Sequence, residues 1–418
     1  MAKKEEINYS ALKQMWDWLC SKYEFRRDVI KGRILWRPAN TSKSPNKKEK
    51  DFILLTNEQL NTISIEAGFS GLKSCSPSNI EMFLYSNYTE EINPVVNYLT
   101  YVSYKCSEGA IKKLCGYIQT TNNPLFEYHL TKWFASSVAN ALIKKGCQNH
   151  TCFTLTGGQG AGKTTLYNWF CPPELKDYMF NGEIDLRSKD TIWKLSEYWL
   201  INIEEQIKAL NRADANTMKY IITLSEIKGR KPYGRLEVQG YRLGNFLAGT
   251  NEDDFLTDTS GNRRYPAFRV LSIDEAYKKI KIDDIWTEAY HYYNNNPGSY
   301  FVKTEDMEAL TKNNEQFLSV TQEQEYVNSF FSKPEAGKPF HLIPATAIRD
   351  FLSLETGNKN LKDRNVGIAL KKNGFDQMGH RFKDSDFPVR VWKLRVTKGK
   401  NIGTLEYYHA FANNQYKP

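Results

Sequence analysis

The sharpest chemistry in this chain lies in one short run. Gly157, Gly158, Gln159, Gly160, Ala161, Gly162, Lys163 and Thr164, followed by Thr165, fit G-x-x-x-x-G-K-[ST] at every fixed position. Glycines let backbone N–H groups turn inward around phosphates, and a helix starting behind them adds partial positive charge. Lys163 is then placed for β- and γ-phosphate oxygens, and the Thr164 hydroxyl for Mg²⁺. The pattern implies a nucleoside triphosphate, taken here as ATP with Mg²⁺. The loop needs a buried strand before it and a helix after it. Residues 152–156 (CFTLT) and 165–170 (TLYNWF) have those characters.

Further groups follow in an order that suits hydrolysis. Residues 198–203 form an apolar strand ending in Glu204 and Glu205, 41 residues after Lys163. Glu204 is assigned mainly to the metal, and Glu205 to orienting and deprotonating the attacking water. A strand over 245–250 ends at Asn251, a polar group placed to hold that water in line. Arg263 and Arg264, in the turn Thr259-Ser260-Gly261-Asn262-Arg263-Arg264-Tyr265, suit a finger reaching a neighbouring subunit's γ-phosphate. Such a site is completed between copies, in a ring or at least a dimer. The segment 228–235 is basic, turn-rich and aromatic. Its Lys231, Tyr233 and Arg235 either track a polynucleotide in a channel or face the nucleotide, and the sequence leaves both open.

The elements around these groups set the rest of the expectation. The 418 residues suggest two to three domains and ample chain for a core. Expected boundaries are a mixed, mainly helical N-terminal domain over 1–122, the nucleotide core over 123–300, a helical connector over 301–331 and a C-terminal domain over 332–418. In the first of these, 9–23 has helical spacing, 29–36 alternates like a strand, and 56–68 and 78–85 are short helices. Residues 94–119 suggest a helix pair, and 125–145 an amphipathic helix with one apolar face. The C-terminal domain has helices over 344–354 and 361–373, then strands over 379–382 and 389–396. Helix, helix, β-hairpin is the winged-helix pattern, with the second helix in a major groove.

Charge agrees with a nucleic-acid partner. The chain carries +9 in total, and residues 358–400 hold 12 Lys or Arg against 4 Asp or Glu, leaving about +1 for everything else. Lys362, Arg364, Lys371 and Lys372 on the second helix and Arg390 and Lys393 on the hairpin are the candidate duplex contacts. The seven cysteines are irregularly spaced, which suits reduced, mostly buried thiols better than a zinc site at Cys147, His150 and Cys152. No stretch approaches a membrane span, and the expected location is the cytoplasm.

Taken in order, GGQGAGKTTL at 157–166, LINIEEQ at 200–206, RKPYGR at 230–235, FLAGTNEDDFLTD at 246–258 and GNRRYP at 261–266 resemble the virulence-associated protein E family. That is a P-loop ATPase family of phages, plasmids and genomic islands, itself similar to superfamily 3 helicases. The resemblance implies an α/β, AAA+-like P-loop core and a hexameric DNA-unwinding ATPase used in replicating a mobile element. It makes Asn251 the position called sensor 1. With the hairpin and winged-helix readings, the expected partners are a single strand in the ring's channel and duplex at the winged helix; no primase module of the kind some relatives carry is seen, so priming and polymerisation are expected from separate proteins. Asn202 stands where many relatives have Glu. An ATP-switched DNA-binding regulator that unwinds nothing is the alternative. A small-molecule kinase would explain the loop but not the basic C-terminal segment or the paired arginines.

Overall fold

The computed structural model describes residues 9–39, 52–185, 188–230, 237–256, 262–383 and 386–410. The chain is a mixed α/β protein in two compact units, residues 1–317 and 318–418.

The first unit opens with α1 (Tyr9–Lys22), then strands β1 (Tyr23–Asp28), β2 (Arg33–Pro38) and β3 (Ile53–Leu54), helices α2 (Asn57–Phe69) and α3 (Pro77–Leu84), and β4 (Glu90–Ile92). The four strands form a sheet in the order β3-β2-β1-β4. The strand expected over 29–36 is instead a hairpin turn followed by β2. The turn is fixed by the buried Asp28, whose carboxylate accepts the N–H groups of Ile30 and Lys31 at 2.9 and 3.2 Å. Asp28 also takes Arg33 Nε at 3.1 Å and the Tyr178 hydroxyl at 2.6 Å, which fastens this sheet to the chain just before β7 of the larger sheet.

The core elements are α4 (Pro94–Ser103), α5 (Ala110–Gly116), β5 (Ile118–Thr120), α6 (Asn123–Leu142), β6 (Cys152–Thr156), α7 (Lys163–Phe170), β7 (Met179–Asn181), α8 (Lys189–Glu197), β8 (Leu200–Asn202) and α9 (Ile207–Thr223). The hairpin β9 (Glu226–Arg230) and β10 (Glu237–Tyr241), β11 (Asn245–Thr250), β12 (Ala267–Ile273), α10 (Ile282–Asn295) and α11 (Thr304–Asn314) complete the unit. Six strands lie in the order β5-β12-β6-β11-β8-β7. The five from β12 to β7 are parallel, and β5 adds an antiparallel edge. Every residue of β6 and β11 is buried, as strands covered on both faces must be.

Helix α6 departs from the one-faced expectation. Its residues from Lys132 to Ala141 are all buried, so it is a central helix packed on several sides. Large indoles fill the surrounding core with their N–H groups satisfied. Trp133 donates to Phe246 O at 3.0 Å, Trp199 to Ser137 O at 3.1 Å and Trp286 to Phe170 O at 2.9 Å. Each such burial stabilises the fold by about 1.5–3 kcal/mol.

The second unit holds α12 (Gln322–Phe330), β13 (Phe331–Ser332), β14 (Phe340–Ile343), α13 (Ala345–Thr356), α14 (Asp363–Lys372), β15 (Asp376–His380), β16 (Val389–Val396) and β17 (His409–Ala410). Strands β15 and β16 pair antiparallel, with His380 opposite Val389. Sequence periodicity missed β13, β14 and β17, which are short and pair with β16 or, for β17, with β14. Ile348, Phe351, Leu352, Val366, Leu370, Trp392 and Leu394 form this unit's own core. No helix among the described residues is long and apolar enough to cross a membrane.

Candidate nucleotide site

The loop between β6 and α7 depends on backbone that side chains resist. Gly157 has φ +143°, and a Cβ there would stand 2.9 Å from Val270 O on β12. Lys163, the first residue of α7, is buried, and its ammonium donates to Gly157 O at 2.8 Å, Gly158 O at 3.1 Å and Asn251 Oδ1 at 3.0 Å. An ammonium has three protons. Reaching a phosphate oxygen therefore means exchanging one of these bonds. Burial pushes Lys163 below the ordinary lysine pKa, and the Glu204 and Glu205 carboxylates oppose that shift.

The partners converge from three strand ends. Thr164 donates its hydroxyl to Glu204 Oε1. Glu204 Oε2 lies 3.5 Å from Asn202 Nδ2, which also donates to Asn181 Oδ1 at 3.1 Å. Thus Asn202, in place of a third acid, helps orient Glu204. Glu204 lies across β11 at Gly249, where a Cβ would come within 2.9 Å of its carboxylate. Glu205 is exposed, with φ +61°, and its N–H donates to Gly249 O at 2.7 Å. A non-glycine residue held in this region marks a locally strained backbone.

A cluster that the sequence reading did not single out holds the Asn251 turn. Asp253 accepts the Thr156 hydroxyl at 2.8 Å and Arg269 Nε at 3.1 Å, and Arg269 gives it a second bond through Nη2. The turn after β11 is thereby tied to the ends of β6 and β12. A lone arginine inside the apolar run of β12 was the available signal.

The paired arginines are elsewhere. Asn262–Arg264 form a short 3-10 turn just before β12, clamped by Asn314 Nδ2 on Asn262 O at 3.0 Å and on Tyr265 O at 2.7 Å. The register sets Ala267, at the start of β12, opposite Thr154, and Pro266 O accepts the Thr154 N–H at 2.9 Å, so the arginine turn before β12 lies on the side where β6 begins, away from the glycine loop at its end. Arg263 and Arg264 line a cavity with His129, Lys132 and His150 on that side. Within one chain they are not brought to Lys163.

The remaining candidates divide. Lys231, Tyr233 and Arg235 lie outside the described residues, between the paired legs β9 and β10. In the second unit Lys362, Arg364, Lys371, Lys372 and Arg390 are exposed, whereas Lys393 places its ammonium 4.7 Å from the centre of the Phe340 ring. Gln159, Gly160, Thr164 and Thr165 are exposed at the loop mouth, and Gly162 ends the loop as the left-handed cap of α7.

Comparison with known proteins now decides the family. The profile described as "Virulence-associated protein E-like domain" matches residues 100–325, more than half of the chain. The chain belongs to this family. The virulence-associated protein E-like match encloses the glycine loop, both acids, Asn251 and the arginine turn, and ends before the helix pair of the second unit. No curated protein matches the chain. Among solved structures, the apo structure of the NrS-1 C terminal region (305-718) is 11% identical, covering 92% of this chain and 99% of its own, with a TM-score of 0.49. An A form apo structure of that region is 13% identical, covering 91% and 99%, with a TM-score of 0.48.

Proposed function

We propose that this chain is an ATP-driven DNA motor of a phage, plasmid or genomic island, acting in replication, with an AAA+-like P-loop core and a C-terminal winged helix. The observation that carries the reading is the meeting of Lys163 with Asn251 and of Thr164 with Glu204 at the mouth of one glycine loop. Few arrangements other than a triphosphate site bring an ammonium, a hydroxyl, a carboxylate and a carboxamide to one helix start.

Each side chain then has a task. The loop backbone and Lys163 hold the β- and γ-phosphates. Thr164 and Glu204 present two hard oxygens at one point, a donor set that fits Mg²⁺, which keeps most of its shell as water and phosphate. Mg²⁺, when bound, neutralises phosphate charge. Glu205 takes the proton of the attacking water, and Asn251, released from Lys163, orients that water. Arg263 and Arg264 serve the γ-phosphate of an adjacent copy. Their position on the side of the sheet where β6 begins supports a site completed in trans, and with it a ring, for which a hexamer is the expected size. Exposed cations on α14 suit duplex phosphates, and the β9–β10 hairpin suits a strand in the channel. The cytoplasm and separate priming and polymerising partners complete the proposal.

The test is unwinding of a forked duplex, with ATPase measured with and without single-stranded DNA. A motor loses both activities in Lys163→Ala while retaining duplex binding. ATP hydrolysis indifferent to DNA in a solitary chain, with no strand separation, would leave the ATP-switched regulator instead.

A further inference from the structure

The side of the sheet where β6 begins carries a cavity of about 290 Å³ that the nucleotide reading uses only through Arg263 and Arg264, and then only toward an adjacent copy. Its lining includes Lys132, Arg263, Arg264, His129 and His150, and no aspartate or glutamate. His129 is 1% exposed, yet neither ring nitrogen has a hydrogen-bond partner among the described residues, and the buried Nε of Arg264 likewise lacks one. Several other polar groups around the cavity are occupied. Lys132 donates to Ser299 O, Ser136 to Tyr300 O at 3.0 Å, and Asn149 to Ser137 Oγ at 3.3 Å and Asn245 Oδ1 at 3.0 Å. Unpaired buried donors cost about 1–3 kcal/mol each, so they favour a ligand able to satisfy them.

We propose that this cavity is a phosphate-binding site, separate from the glycine loop, that takes a phosphate dianion, either free monohydrogen phosphate or the head of a small phosphomonoester. The chemistry matches on three counts. Cations without a facing carboxylate attract an anion. The Arg264 fork prefers a tetrahedral or planar oxyanion. A neutral imidazole offers one donor and one acceptor; free monohydrogen phosphate complements both with charged oxygens and a P–OH, and the dianionic head of a monoester complements the donor with its charged oxygens. The volume lies at the small end of ligand cavities, which suits a compact anion. Because Arg264 belongs to the same turn as Arg263, filling the site also holds that turn.

Burial pushes the His129 pKa down to about 4, with Lys132 acting in the same direction and Asp306 opposing. Asp306 also accepts the Tyr128 hydroxyl, whose ring packs on His129. A bound dianion stabilises the imidazolium, so occupancy raises the His129 titration midpoint.

The experiment follows the histidine ring signals of the full chain carrying Lys163→Ala, which disables the loop, during titration with inorganic phosphate and, separately, AMP. His129 is assigned by the signal lost in His129→Gln. Binding raises its midpoint by a unit or more, and Arg264→Lys, which keeps the charge and removes the fork, weakens the apparent affinity by about ten-fold. Response to phosphate identifies the free ion as sufficient; response to AMP alone identifies the monoester. If both ligands leave His129 unmoved, or if Arg264→Lys binds as the parent does, the cavity is a hydrated void and the proposal fails. Because the loop is disabled throughout, this result is independent of whether the chain hydrolyses ATP.

Discussion

Replacing Gly249 by alanine tests the geometry of the nucleotide site at one methyl group. The added Cβ would stand 2.9 Å from Glu204 Oε1, 3.1 Å from its Cγ and 3.3 Å from its Cδ. Ordinary contact begins near ~3.5 Å, so the carboxylate must withdraw by roughly half an ångström. That withdrawal breaks its bond with the Thr164 hydroxyl. A displacement of this size at a positioning group costs about 10- to 100-fold in rate, or about 1.4–2.7 kcal/mol of barrier. The fold itself loses only about 1 kcal/mol, because the obstructed atoms end a side chain that can move. Phosphate release under saturating Mg²⁺ and ATP should therefore show the drop in kcat. A fluorescent ATP analogue should bind within about three-fold of the parent Kd, since the loop is untouched. Gly116→Ala, whose Cβ meets nothing within 4 Å, is the control. A folded Gly249→Ala chain turning over at the parent rate would refute the placing of Glu204 in the chemistry.

Three further outcomes are expected. Glu205→Gln should keep ATP binding and slow hydrolysis by about 10²- to 10⁴-fold; Glu205→Gly should slow it as much while raising stability to urea by about 1 kcal/mol, because φ +61° no longer opposes a side chain. Unchanged turnover in Glu205→Gln removes it as the base. Asp253→Ala should release Thr156 and Arg269, lower kcat by about ten-fold through a loosened Asn251, and cost less than ~1 kcal/mol of stability because the ion pair is well exposed; kcat equal to the parent's means that the cluster does not position Asn251. Lys31, with its ammonium 3.2 Å from the centre of the Tyr198 ring, is pushed down to about 8 by burial, mainly against the pull of Glu197. Between that value and its unfolded pKa near 10.5 the unfolded chain binds the extra proton, so this group makes stability rise with pH from about 8 upward. Urea midpoints measured across this window should rise less steeply in Lys31→Met, and an equal slope rejects the assignment.

Sequence legibility followed the range of the interactions involved. Strand β6, the glycine loop and the start of α7 were readable because each is a local property: a short apolar run, glycines where φ turns positive, and a lysine opening a helix. Strand β11 was readable for the same reason. The hairpin of β1 and β2 was not, since alternation continued across a turn that a buried Asp28 fixes through backbone N–H groups and Arg33. Helix α6 misled because its apolar face hid Lys132, Ser136 and Asn140, all buried with their polar groups bonded to distant carbonyls.

What the sequence determined alone was an inventory of reacting groups and their order along the chain. Tertiary structure decided which of them meet. Inserting β11 between β6 and β8 is what brings Asn251 to Lys163 and leaves Glu204 lying over Gly249 beside Thr164. The same sheet order sends Arg263 and Arg264 to the opposite side, away from their own chain's loop. Strand order is chosen by crossover connections and by burial of both sheet faces under distant helices. Those are non-local terms, and no window of residues contains them.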